Sequence, residues 1–195
     1  MDEIIKFLDK NTDGWEIYRE RSTSKSISIE KGKVKIIESS EDVDYAVRVI
    51  VNGKVGFATS SRLSIDLCER AIKIARISEE ELKELPEGKK VNVEGIYDAR
   101  VEGIDSNWLI ESAEVLINSA REVGDVNPAQ GYVEASVDEI RLINSYGTYL
   151  EEKLTVCEAF LECVIENSNA FEFDQSRTSK IDLEFVGKRS AELAV

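Results

Sequence analysis

Few features constrain a fold as strongly as a long internal echo, and this chain carries one. The segment SISIEKGKVKIIESSEDVDYAVRVIVNGKVGFATSSRLS, from Ser26 to Ser64, returns in diverged form as EIRLINSYGTYLEEKLTVCEAFLECVIENSNAFEFDQSRTS, from Glu139 to Ser179. At the spacing that separates Gly32 from Gly147, an offset of 115 residues, Tyr45 meets Phe160, Val49 and Ile50 meet Val164 and Ile165, and Asn52 meets Asn167. Ser61, Arg62 and Ser64 meet Ser176, Arg177 and Ser179 at the same offset. Turn residues, apolar strand positions and a helix-start signal thus recur in one order. A period this long indicates a doubled domain, because solenoid repeats run about 20–50 residues.

Local patterns supply the content of each copy. Residues 2–10 space Ile4, Ile5 and Leu8 along one helical face. Trp15 opens a strand reaching about Ser22, and Ile27 and Ile29 alternate ahead of a tight Lys31-Gly32 turn. A second strand passes through Val34 and Ile36. Over 44–51, alternation places Tyr45, Val47, Val49 and Val51 on one face and Ala46, Arg48 and Ile50 on the other. Asn52-Gly53 predicts a two-residue hairpin, since both residues tolerate positive φ, with Gly56-Phe57-Ala58 in the partner strand. Ser64 is positioned to cap a helix bearing Leu67, Ala71, Ile74 and Ala75. Further on, a helix over about 106–123 presents Leu109, Ala113, Leu116 and Ala120. Gly131-Tyr132 then echoes Gly14-Trp15, and Ser179 is read as the start of a last helix.

The expected class is α+β: two diverged copies of a helix–antiparallel sheet–helix unit, with helices covering one face of each sheet. The sequential division places the first unit at residues 1–85, a connector at 86–105 with an extended piece at Val91-Asn92-Val93, and the second unit at 106–195. The final helical pattern runs into Leu193-Ala194-Val195 with no Gly, Asn or Pro to stop it. That is how a chain cut ahead of a C-terminal domain would look.

Charge and composition remove several function classes. The net charge is −14, with 39 acidic against 25 basic residues. Nucleic-acid affinity comes mostly from clustered Lys and Arg, which here are scattered singly, so neither direct nucleic-acid contact nor an anionic membrane surface is expected. The N-terminal MDEIIKFLDK is acidic where a signal peptide is basic, and no apolar run approaches a membrane span. Three cysteines, Cys68, Cys157 and Cys163, at irregular spacing suit a reducing compartment, and the expected location is cytoplasmic. Histidine is absent, which eliminates histidine general bases, histidine-based triads and H-E-x-x-H zinc sites from these residues.

Candidate site residues are therefore few. Arg48 lies mid-strand among Val and Ile, where an unpaired charge is costly; it pairs across the sheet, faces solvent or meets a partner. Ser60, Ser61 and Arg62 precede a helix start and Arg177 sits in the echo of that site, so helix-terminal amides there could favour a peptide carboxylate, or the serines could serve as ordinary caps. Glu38, Glu41, Asp42 and Asp44 could hold a hard cation, but without a glycine-organised ligand loop they read as a solvated loop between strands. Cys157 and Cys163 on one strand would lie some ~20 Å apart, too far to share a metal. Cys68, near a helix start, reads as a core thiol more readily than as a reactive one. The serines of 22–28 lack a base to activate a nucleophile. No catalytic residue and no metal ligand is assigned.

Taken in order, these motifs resemble the N-terminal domain of the TldD/PmbA (TldE) family. Val47-Arg48-Val49, Gly53-Lys54-Val55-Gly56-Phe57-Ala58 and Thr59-Ser60-Ser61-Arg62-Leu63-Ser64 carry most of the likeness, with Ile143-Asn144-Ser145-Tyr146-Gly147 and Tyr97-Asp98 contributing. Asp44-Tyr45 stands where family members often have glycine. The resemblance implies a metal-dependent peptidase of two related subunits, one with the metal, expected to be zinc, and one without. This chain would then be a non-catalytic domain, without a cofactor of its own, serving assembly and substrate-chamber formation for peptides or unfolded proteins. Its partner would be a second copy or a related TldD-type subunit. Two alternatives stay open: the N-terminal half of the metal-bearing subunit itself, and a stand-alone peptide or protein interaction module. The family's older label, modulator of DNA gyrase, would have to reflect an indirect link, given the charge.

Overall fold

Turns set the frame of this chain, whose computed structural model describes residues 1–89 and 92–195. Lys31 and Gly32 (φ 52° and 64°) and Asn52 and Gly53 (φ 52° and 73°) adopt left-handed backbone. Two-residue hairpins need that conformation to match the right-handed twist of their strands. These turns separate β1 (Gly14–Glu30), β2 (Lys33–Val51) and β3 (Lys54–Ser60), flanked by α1 (Asp2–Asn11) and α2 (Ile65–Ile77). A similar succession follows: α3 (Ala99–Glu102), α4 (Ser106–Val123), β4 (Asn127–Asn144), β5 (Tyr149–Ile165), β6 (Ser168–Ser176) and α5 (Leu183–Ala194). The class is α+β, with antiparallel pairing in both the β2–β3 and β5–β6 hairpins.

The chain divides into two compact units that are discontinuous in sequence. The first comprises Met1–Ser22, Asp42–Asn92 and Glu139–Glu152; the second comprises Thr23–Glu41, Val93–Asp138 and Lys153–Val195. This differs from the sequential division at 1–85 and 106–195, and strand length is the cause. β1, β2, β4 and β5 have 17, 19, 18 and 17 residues, about three times the usual strand, and each gives one stretch to each unit. The acidic stretch with Glu38, Glu41, Asp42 and Asp44 is accordingly no loop but part of β2. Its residues are solvent-exposed, and backbone pairing with β1 does not depend on side-chain polarity. The connector holds the short helix α3, capped by the Asp98 side chain, which was not anticipated. Of the extended piece expected at Val91-Asn92-Val93, Val91 lies outside the described residues, and Asn92 and Val93 belong to no helix or strand.

In the first unit the strands run β3-β2-β1-β4-β5. Ser64 caps α2 as expected, its hydroxyl accepting from the Leu67 amide at 3.3 Å. Leu67, Cys68, Ala71, Ile72 and Ala75 face Val47, Val49, Ala58, Ile17, Trp15 and the α1 residue Leu8. Each fully buried Leu, Ile or Val contributes about 1.5–3 kcal/mol relative to exposure. Ile74, expected on this stripe, is 43% exposed, and Ile72, two residues earlier, takes its place.

In the second unit the order is β2-β1-β4-β5-β6. Leu109, Ala113, Leu116 and Ala120 of α4 are fully buried, as expected, against Cys157, Ala159, Leu161 and Cys163 of β5 and Val186, Ala191 and Ala194 of α5. α5 does not start at Ser179. Its cap is Asp182, which accepts from the Phe185 amide at 2.9 Å. Nor does one offset relate the two hairpins. Val51 pairs with Lys54 and Ile165 with Ser168, so Asn52-Gly53 corresponds to Glu166-Asn167, one residue away from the match of Asn52 with Asn167. Buried Val47 and Val49 correspond to buried Leu161 and Cys163, while Val164 is on the other face. The elements recur in order, but not at a fixed spacing.

Candidate functional site

Because Val47 and Val49 enter the core of the first unit, Arg48 emerges on the opposite side of β2, and Glu16 does the same between Trp15 and Ile17 of β1. The two meet there in a close ion pair between Arg48 Nη2 and Glu16 Oε1. The Arg48 side chain keeps 40% of its surface in water and that of Glu16 only 9%. Arg48 Nε is buried with no hydrogen-bond partner among the described residues. Around the pair lies a cavity of about 330 Å³, lined also by Tyr18, Ala46, Phe57 and Leu142. Phe57 is directly opposite Arg48 in the hairpin register and is 54% exposed. A second cavity, about 540 Å³, shares Arg48 and Phe57 and continues to Ile74 and the segment from Ser78 to Leu82. That segment covers the start of edge strand β3: the Val55 amide donates to the Glu80 carbonyl at 3.1 Å and the Leu82 amide to the Gly53 carbonyl at 2.9 Å.

The ion pair is asymmetric, and so are its expected mutational costs. Arg48→Met leaves a nearly buried carboxylate without its cation, and should cost about 2–3 kcal/mol, below the range for a wholly buried pair because the guanidinium is partly hydrated. Glu16→Gln leaves a cation that can turn to water, and should cost less than about 1 kcal/mol. Urea unfolding of both variants and of the Arg48→Met/Glu16→Leu double variant checks this; the double variant should be more stable than Arg48→Met alone.

The remaining sequence candidates are spread out. Ser60 ends β3, and its hydroxyl accepts from the Arg62 amide at 3.2 Å, a local turn contact. Ser61 and Arg62 are exposed beside it. Arg177 is exposed too, but belongs to the second unit, where its carbonyl accepts from the Thr155 hydroxyl at 2.7 Å. Arg48 and Ser60 to Arg62 share the first unit; Arg177 does not. Among the described residues no group of three or more carboxylate or thiol ligands converges. What sequence reasoning missed is Phe57 beside Arg48, and the Asn52-Gly53 turn could have revealed it, since that hairpin fixes the pair.

All three cysteines are free and fully buried. Burial pushes the Cys68 and Cys157 thiols from 9.0 up to about 11. The Cys163 thiol is raised by burial as well, and its Sγ is 3.3 Å from the Ser190 hydroxyl. Iodoacetamide at mildly alkaline pH should therefore label them in the folded chain at a rate at least about tenfold below that in urea. Unfolded thiols ionise near 9 while the folded ones hold their protons, so the stability they contribute is complete below pH 9 and is lost as pH climbs toward about 11. A mass spectrum after labelling and a pH series of melts test both statements.

The described helices include none long and apolar enough to cross a membrane. Two family models match this chain in sequence order: the PmbA/TldA metallopeptidase domain 1 over residues 15–75 and the PmbA/TldA metallopeptidase central domain over residues 63–195. An uncharacterized protein of Methanocaldococcus jannaschii is 25% identical over 198 residues, covering 100% of this chain and 46% of that protein. Among solved structures, TldE from Thermococcus kodakarensis superposes with a TM-score of 0.83 at 22% identity, over 98% of this chain and 46% of its own. A Thermotoga maritima protein described as a modulator of a DNA gyrase gives 0.81 at 19% identity, over 99% and 46% respectively. The chain thus spans less than half the length of each of these proteins.

Proposed function

This chain belongs to the PmbA/TldD metallopeptidase family, and from that premise we propose that it is a non-catalytic domain of a metal-dependent peptidase system, acting in subunit assembly and in forming the chamber that receives peptide. The observation that carries this reading is the pairing of two consecutive family domains with a donor set unsuited to the family's metal. Zinc is held by His, Cys and carboxylate ligands that converge on one point. Here histidine is absent, the cysteines are buried thiols, and no ligand group converges among the described residues. The metal, and with it the activated water that cleaves the peptide, would come from a related subunit in the same cytoplasmic assembly.

What this chain's own residues offer is a place for extended peptide. The Arg48–Phe57 groove joins an apolar wall to a half-buried ion pair, and edge strand β3 can accept a further strand only beyond the stretch already bonded to Glu80 and Leu82. Mixing the chain with a metal-bearing family subunit should give a defined complex by light scattering and turnover of an unfolded protein such as reduced casein, whereas the chain with zinc alone should cleave nothing. Cleavage by the chain alone, or the absence of any complex, would sink the proposal.

A further inference from the structure

On the side of the second unit's sheet away from its helices, β4, β5 and β6 present an aromatic surface. Phe160 is paired across the hairpin with Phe173, and Glu162 with Phe171, so these four side chains share the solvent side, opposite buried Ala159, Leu161 and Cys163. Tyr132 of β4 stacks on Phe160 with ring centroids 5.6 Å apart, and Phe160 meets Phe171 at the same separation. Phe171 and Phe173 nevertheless remain 57% and 56% exposed. Contiguous exposed rings on a folded surface mark a place where something binds.

Charge selects the occupant. Glu158 accepts from the Tyr132 hydroxyl and, at 3.4 Å, from Gln175 Nε2. Glu162 accepts from Gln130 Nε2 and Asn169 Nδ2, both at 2.6 Å. Every one of these donors is neutral, so the two carboxylates are oriented without being neutralised. Glu134 adds to the same negative field: burial, then the charges of Glu158 and Asp138, push its carboxyl above the usual range. A second copy of this chain would bring the same carboxylates against these, and an anionic partner would fare no better. A cation gains from both components, from the carboxylates and from the electron-rich ring faces.

We propose that the outward face of β4–β5–β6 binds a basic peptide segment, with an arginine or lysine side chain held between the Phe171 and Phe173 rings and the carboxylates of Glu158 and Glu162. The planar guanidinium stacks on rings and meets carboxylates in a fork, so arginine is bound more tightly than lysine. Capture of such a segment needs no peptidase partner, and it is measured without one.

The experiment titrates the full chain into a fluorescein-labelled peptide of four Gly-Arg repeats and follows anisotropy at low ionic strength. Saturable binding that weakens with added salt is expected, weaker with Gly-Lys repeats and absent with Gly-Gln or Gly-Glu repeats. The Phe171→Ser/Phe173→Ser and Glu158→Gln/Glu162→Gln variants should each lose at least about tenfold in affinity. Because both phenylalanines are exposed, their removal opens no core; should that variant still melt early, the nearly isosteric glutamine pair decides alone. Equal binding of the Gly-Gln peptide, or unchanged affinity in the glutamine variant, overturns the proposal. So does a concentration-dependent doubling of mass that the phenylalanine pair abolishes, which would assign the face to a second copy.

Discussion

Gly56→Ala should cost the protein about 3 kcal/mol and lower its melting temperature by roughly 10 °C, a large effect for one methyl group. Gly56 lies in β3 beneath α2, where a Cβ would sit 2.1 Å from the Ala71 carbonyl oxygen, 2.4 Å from the Ala75 nitrogen and 2.8 Å from the Ala75 Cβ. Two of these three atoms are helix backbone, so no rotamer change relieves the clash. Relief requires α2 to lift from the sheet, which loosens the packing of Leu67, Ala71, Ile72 and Ala75 at the same time. Gly124→Ala is the matched control. Nothing lies within 4 Å of its Cβ position and its φ of 168° is ordinary extended backbone, so its cost should stay within about 0.5 kcal/mol. Circular-dichroism melts of the two variants decide the point: equal melting temperatures would mean that α2 does not seat on β3 as closely as described.

The contrast between such packing details and the local signals explains how far the sequence could be read. Asn52-Gly53, the Ser64 cap and the α4 stripe were legible because each is decided within a few residues, by backbone conformation or by a helical period. The acidic run of β2 was misread because charge density reports solvation, and a strand exposed on both faces is solvated too. The start of α5 was misread because Ser179 and Asp182 are both competent caps, and only tertiary packing chooses between them. The echo itself misled by one residue at the second hairpin, and in a strand a single step exchanges the two faces. Sequence identity at a fixed offset therefore aligned inward Val49 with outward Val164.

The candidate surfaces follow the same division. Arg48 could be singled out because a charge among β-branched residues needs a partner, yet nothing local identifies Glu16, which comes from a neighbouring strand 32 residues away. The aromatic face could not be assembled from sequence at all. Phe160, Phe171 and Phe173 each fit an ordinary alternating strand, and only the pairing of Phe160 with Phe173 puts them side by side. Family membership adds fold and context here, while the surfaces that would contact peptide come from strand register.

Leu161→Ala is the second large effect, expected at about 3 kcal/mol within the 2–5 kcal/mol usual for such truncations. Leu161 is fully buried on β5 among α4 and α5 residues, so the space it leaves is enclosed by rigid elements that cannot collapse into it. Gly131 is the natural place to look for compensation, because a Cβ there would approach the Leu161 Cδ1 at 2.8 Å. The same Cβ, however, would lie 2.6 Å from the Phe160 carbonyl oxygen, and truncating Leu161 does not move that atom. Gly131→Ala should therefore destabilise the protein alone and fail to rescue Leu161→Ala. Urea unfolding of the two single variants and the double variant measures this directly. A double variant more stable than Leu161→Ala would show that β4 can shift away from β5 at Gly131, and that the backbone there is softer than its close approach implies.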